Sequence, residues 1–262
     1  HTAIAFIIIG AFLGFSILVS TNVLTTTVSP PSYLTLVPDP QAGTAVIGND
    51  WQEAIAWLDY NTNPNKDVIA SWWDYGYWIS VNSNTTILVD NATINNTKIG
   101  NVGCMLVLNP RESLKISKIY DVTYIVVLLS GGYGYARFDS DIGKVPWFVR
   151  IGEKSGNIIK INSSDYLLED PRGHYVQKYT NKFYESVFWA LMTEGLTQDQ
   201  YNLLLNYQLV KPEAPETVND AGFSGDYEEY SNYYELAYET AHSWVRIWRI
   251  KWDIIPPNAI AP

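Results

Sequence analysis

The sequence predicts a mixed α/β protein: one apolar N-terminal transmembrane helix, then an α/β globular core with a small β-rich insertion and closing strands at the C-terminus. Three observations lead there. Ala3 to Val19 is almost wholly apolar, and no Asp, Glu, Lys or Arg precedes Asp39; about 20 such residues span a bilayer core. Between residues 49 and 152, short apolar runs such as Val68-Ile69-Ala70 alternate with helix-spaced apolar residues, the pattern of an α/β core. Near the C-terminus, residues 233–240 and 243–253 read as closing strands, the second with Trp244, Ile247, Arg249 and Trp252 in loose alternation.

Taken in order, residues 1–24 form the transmembrane helix. A signal peptide is the rival, but the segment has no initiator Met and no basic leading region, and the missing Met also implies a piece of a longer protein. Residues 25–48, with Pro30, Pro31, Pro38 and Pro40 among Thr, Ser and Gly, read as an extended linker. The α/β core occupies 49–152. Asn49-Asp50-Trp51-Gln52 opens a helix with Trp51, Ala54, Ile55, Trp57 and Leu58 on one face. Strands are predicted at 67–70 and 86–89, with a helix over 95–108. Asn109-Pro110-Arg111-Glu112 starts the next helix, with a cap, Pro at the first position and Glu at the third. Residues 122–129 form a buried strand and 131–135 a glycine-rich loop. Residues 153–180 mix short apolar pieces with Gly, Asn, Ser and Pro, hence the β-rich insertion. In 181–262, helices over 181–194 and 197–207 and a loop precede the two closing strands.

Composition excludes several classes. With 17 basic and 27 acidic residues the net charge is -10, so there is no basic stripe for nucleic acid. Cys104 is the only cysteine, which rules out an intrachain disulfide and a cysteine metal cluster; its neighbours Val102, Met105 and Leu106 point to a buried thiol. His174 and His242 lack ligand-spaced partners. No G-x-S-x-G, phosphate loop or dinucleotide fingerprint occurs, and the acidic tract 226–230 reads as a solvated face.

The informative stretch is Ser71-Trp72-Trp73-Asp74-Tyr75-Gly76-Tyr77-Trp78, placed where the strand at 67–70 runs out. Strand ends present binding residues on a rigid base. The plain alternative is a core aromatic pair with a helix-capping Asp. The chemistry favours more: indole N–H only donates, carboxylate only accepts, and a hydroxyl does both. Two Trp and one Asp can therefore saturate a single Ser or Thr hydroxyl. Such a site rejects ligands lacking the hydroxyl, because its polar groups would be left unpaired.

These residues carry a resemblance. Ser71 to Tyr77, SWWDYGY, is similar to the signature of the catalytic subunit of (archaeal-type) oligosaccharyltransferase, and the likeness continues through 88–99, Val102-Gly103, 121–127, 147–151 and 244–247. It implies transfer of an oligosaccharide from a lipid-linked phosphate donor to Asn of Asn-x-Ser/Thr. Trp72, Trp73 and Asp74 would bind the hydroxyl two residues after the acceptor Asn. A family helix with Asp, then Lys three residues on, then Met or Ile four further would correspond to Asp141, Lys144 and Phe148, all on one helical face; Phe148 or a neighbour would meet the Thr methyl, and Pro146 should kink that helix. The family's Mn or Mg is held by its membrane portion, so the fragment alone would recognise acceptor without catalysing transfer. Membrane attachment with the globular part on the extracytoplasmic (extracellular or lumenal) side would expose the sequons at Asn84, Asn91, Asn95 and Asn162 to glycosylation. The alternative is a non-catalytic membrane-anchored carbohydrate-binding or surface-layer ectodomain, consistent with 10 Trp and 19 Tyr.

Overall fold

The computed structural model describes residues 36–39, 44–47, 50–129, 141–173, 175–205, 227–241, 243–257 and 260. The transmembrane helix expected at 1–24 lies outside them, as do His174, His242 and the loop at 131–135. No helix among the described residues is long and apolar enough to cross a membrane. The chain divides into two units, His1–Gly48 and Asn49–Pro262. In the first, β1 (Leu36–Asp39) and β2 (Thr44–Ile47) pair antiparallel, Leu36 opposite Ile47. An extended linker was the expectation there; Val37, Val46 and Ile47 supply the β-propensity that pairs the two segments.

The second unit is built on a five-stranded mixed sheet in the order β4 (Thr86–Ile87), β3 (Val68–Ala70), β5 (Val122–Leu128), β9 (Val245–Ile250), β8 (Tyr234–Glu239). β3 runs parallel to both β4 and β5, whereas β5–β9 and β9–β8 are antiparallel. The parallel connections need crossovers. A 3-10 turn (Trp73–Tyr75) and α2 (Gly76–Ser83) join β3 to β4, after α1 (Asp50–Asn61) has led into β3. From β4 the chain passes through α3 (Asn96–Val107) and α4 (Pro110–Ile119) into β5. Asn109 caps α4 reciprocally: its Oδ1 accepts the Glu112 N–H at 3.0 Å, and its Nδ2 donates to Glu112 Oε2 at 2.8 Å.

A second 3-10 turn (Asp141–Lys144) leads into α5 (Val145–Ser155). Pro146 falls in the first turn of α5, where the missing N–H would have had no partner, so the expected kink has no cause. α5 continues through Ser155, and the described residues of the insertion that follows hold a 3-10 turn (Ser163–Asp165) and a short hairpin, β6 (Leu167–Glu169) with β7 (Val176–Tyr179). The single helix expected over 181–194 is two, α6 (Asn181–Tyr184) and α7 (Val187–Thr193). Ser186 breaks it: its Oγ accepts the Trp189 N–H at 3.2 Å, and the adjacent Val187 N–H donates to Leu108 O at 2.9 Å. A cap and a tertiary hydrogen bond override local helix propensity. α8 (Gln198–Leu205) and α9 (Tyr227–Tyr233) complete the described helices.

The core lies where α3 crosses α5. Every residue from Ile99 to Val107 is buried, including Cys104, whose thiol pKa burial raises to about 11. The two backbones touch through glycines: a Cβ on Gly103 would collide with the Phe148 carbonyl, and one on Gly100 with the Gly156 nitrogen. Gly103→Ala is therefore expected to destabilise the protein by about 1–3 kcal/mol from overpacking, despite a helix-propensity gain of about 1 kcal/mol, and Gly103→Val by more. Urea unfolding of the purified variants measures this; an Ala variant more stable than the parent would show that the helices are not in backbone contact.

Candidate functional site

β3 ends at Ala70 and the chain turns at once, with Ser71 and Trp72 buried and Trp73 and Asp74 half-buried. Two packing features shape the turn. Gly76 lies against the chain at Val89 and Asp90, where any Cβ would strike the Asp90 Cα and the Val89 carbonyl. Trp72 rests on Phe148 with ring centroids 4.5 Å apart, and Phe148 in turn meets Phe188 edge-on at 5.3 Å.

The motif meets the second segment through charge. Lys144 Nζ donates to Asp74 Oδ2 at 2.6 Å and stands 3.4 Å from Asp141 Oδ1, so one ammonium serves two carboxylates. Tyr75 ties the three together. Its hydroxyl donates to Asp141 Oδ1 at 2.7 Å and accepts from Lys144, whose nitrogen lies 4.2 Å from the Tyr75 ring centroid. Asp141 is buried, and its Oδ2 accepts the Leu128 N–H at 2.8 Å, which fastens it to the end of β5. Asp74 differs. Its Oδ1 is buried with no hydrogen-bond partner among the described residues, while Oδ2 is held by Lys144. Burial raises the Asp74 pKa above the usual carboxylate value; Lys144 opposes that shift and Asp141 adds to it.

Three expected site residues thus converge, Asp74, Asp141 and Lys144, with Trp72 and Trp73 directly before Asp74 in the chain and their rings 6.3 Å apart. Phe148 departs from expectation. It is wholly buried between Trp72 and Phe188 and supports the Trp72 indole from behind, so it presents no surface to a Thr methyl in this structure. Its backbone lies against Gly103 of α3, and its ring fills the space between Trp72 and Phe188. Tyr75 was legible as part of the motif but not as the bridge between carboxylate and ammonium. The four sequons differ too. Asn84 is exposed at the left-handed C-cap of α2, Asn95 caps α3 through its Oδ1, and Asn162 caps a 3-10 turn (Ser163–Asp165). Asn91 uses its side-chain amide on the motif itself.

Among the described residues no three His, Cys, Asp or Glu side chains come together, and the two site carboxylates share a lysine instead.

Residues 65–127 match the STT3/PglB/AglB core domain. They include the whole Trp-Trp-Asp turn, Gly76 and Asn91. The chain is 43% identical over 126 residues to the dolichyl-diphosphooligosaccharide–protein glycosyltransferase subunit STT3B of Oryza sativa subsp. japonica, an alignment covering 48% of this chain and 17% of the rice protein. It is 40% identical over 125 residues to the STT3 subunit of Dictyostelium discoideum, again 48% of this chain and 17% of the relative. The aligned part thus spans about a sixth of these relatives' length. Among solved structures, it is similar to the C-terminal globular domain of the Archaeoglobus fulgidus oligosaccharyltransferase, with 14% identity, a TM-score of 0.44, and coverage of 79% of this chain and 99% of that one.

The raised Asp74 pKa has a consequence for stability. The folded state holds the Asp74 proton more tightly than the unfolded chain does, so stability falls as pH rises from the ordinary carboxylate range through the raised value, and stays lower at neutral pH. Asp74→Asn removes that penalty. It is expected to unfold at the same or higher urea concentration than the parent at pH 7, with the difference shrinking below about pH 4. A clear loss of stability in Asp74→Asn at pH 7 would contradict the assigned burial.

Proposed function

We propose that this chain supplies acceptor recognition to an oligosaccharyltransferase, which moves an oligosaccharide from a lipid-linked phosphate donor to Asn in Asn-x-Ser/Thr. The observation that carries this is the buried Oδ1 of Asp74, without a hydrogen-bond partner among the described residues, on the residue that directly follows the Trp72-Trp73 pair. A carboxylate oxygen left without a donor costs about 1–3 kcal/mol, and a hydroxyl arriving from the acceptor removes that deficit. The identity to STT3 subunits over 126 residues supports the same reading.

The hydroxyl two residues after the acceptor Asn donates to Asp74 Oδ1 and accepts from the indole N–H of Trp73 or Trp72. Lys144, by holding Oδ2, fixes the carboxylate plane and opposes the rise that burial imposes on the Asp74 pKa. Asp141 and Tyr75 hold Lys144 in turn. None of these groups touches the transferred sugar in this scheme; their task is to seat the peptide. A divalent cation belongs to the enzyme's membrane portion, where it would stabilise the leaving phosphate; the residues described here do not fit it. The globular unit faces the extracytoplasmic side, joined to the membrane through residues 1–24.

In the full-length enzyme, a peptide with Asn-x-Thr is expected to be glycosylated with kcat/KM about 10- to 150-fold above its Asn-x-Val counterpart, the value of a hydrogen bond to a charged group. Asp74→Ala is expected to abolish most of that margin. Steady-state transfer with the two peptides measures it, and equal rates for Thr and Val in the parent enzyme would refute hydroxyl recognition.

A further inference from the structure

The turn after β4 is pressed onto the Trp-Trp-Asp motif, and it holds the motif by a polar clamp as well as by contact. Asn91 Nδ2 donates to the Asp74 carbonyl at 2.9 Å, and Asn91 Oδ1 accepts the Tyr77 N–H at 3.1 Å. One side-chain amide thereby spans the end of the 3-10 turn and the start of α2. The clamp stands on a built turn. Asp90 Oδ1 accepts the Ala92 N–H at 2.9 Å, the Asp90 carbonyl accepts the Thr93 N–H at 3.2 Å, and Thr93 takes a left-handed φ of 51°. A β-branched residue in that region is strained, and such strain persists only where surrounding contacts over-determine it. The bare backbone of Gly76 lets the 89–90 segment come close enough for Asn91 to reach both partners.

We propose that Asn91 is a positioning residue for the acceptor site: it fixes the backbone on both sides of Tyr75 and so aims the Asp74 carboxylate and the Trp73 indole. Asn91 is an exposed side chain whose two hydrogen bonds both go to the motif's main chain. A side-chain amide offers a donor to the carbonyl and an acceptor to the N–H from one planar group. The Asn91-Ala92-Thr93 triplet also reads as a glycosylation sequon, but the nitrogen that would take a sugar already serves the Asp74 carbonyl. The assignment rests on Asp74 receiving the acceptor hydroxyl, and its test separates the two.

The test is steady-state glycosylation by the full-length enzyme in its native membrane extract, with matched Asn-x-Thr and Asn-x-Val peptides. Asn91→Ala is expected to raise the KM for the Thr peptide about five- to tenfold, with kcat and the KM for the lipid-linked donor held within about twofold, as loss of one or two hydrogen bonds from a positioning group predicts. Asn91→Asp keeps the acceptor for Tyr77 but sets a carboxylate oxygen against the Asp74 carbonyl, so its KM should rise further. Thr93→Ala removes the sequon and leaves the Asn91 amide in place, so it should behave as the parent. If Asn91→Ala does not accumulate, Asn91→Gln carries the same comparison on a longer arm. A parent that does not distinguish Thr from Val refutes hydroxyl recognition itself. A parent that distinguishes them while Asn91→Ala keeps the parental KM refutes the clamp. Equal defects in Thr93→Ala and Asn91→Ala also overturn it, because a glycan at Asn91 would then be the working element.

Discussion

Everything around the Trp-Trp-Asp turn depends on one ammonium placed between two carboxylates. Asp74 and Asp141 come from segments 67 residues apart in sequence, and Lys144 ion-pairs with both. Burial raises the Asp74 pKa, Lys144 opposes that rise and the charge of Asp141 adds to it. Removing Lys144 would leave the buried Asp141 and the half-buried Asp74 without their shared cation, at a cost below the ~3–5 kcal/mol of a fully buried broken pair. The Tyr75 hydroxyl makes the arrangement directional: by donating to Asp141 and accepting from Lys144, it directs the ammonium towards Asp74 Oδ2 and leaves Oδ1 unclaimed.

The apolar layer beneath holds this arrangement in register. α5 delivers both Lys144, at its N-terminus, and Phe148, one turn further along. The first meets Asp74 and the second supports the Trp72 ring, so a single helix sets the charge and the aromatic half of the motif together. That helix is fixed against α3 by glycine-mediated backbone contact at Gly100 and Gly103, and Asp141 is fastened to β5 through the Leu128 N–H. Polar contacts and close packing thus agree on one geometry, which leaves Asp74 Oδ1 buried without a hydrogen-bond partner among the described residues.

Much of this was legible in the sequence, for physical reasons that differ by element. The helix at 110–119 announces itself through Asn109, Pro110 and Glu112, a local signal that tertiary context does not disturb. The strands at 68–70 and 122–128 are short buried apolar runs, and the motif does sit where the first of them ends. What could not be read is long-range. The break at Ser186 depends on the Leu108 carbonyl, and the burial of Phe148 depends on Phe188, 40 residues away. Pro146 was misjudged because a proline inside a helix and a proline in its first turn differ only by where the helix begins. The role of Asn91 was hidden by a plausible local motif: Asn-x-Thr reads as a sequon, and only the fold shows its amide on the Asp74 carbonyl.

The central claim is that Asp74 Oδ1 is the acceptor for a peptide hydroxyl. A double-mutant cycle addresses it most directly, combining Asp74→Asn in the full-length enzyme with Thr→Val in the acceptor peptide and reading kcat/KM at all four corners. The account predicts a coupling of about 1.5–3 kcal/mol, the value of a hydrogen bond to a charged group. A coupling indistinguishable from zero, with both single changes harmful, would mean that the carboxylate and the hydroxyl act independently and that Asp74 Oδ1 does not receive it.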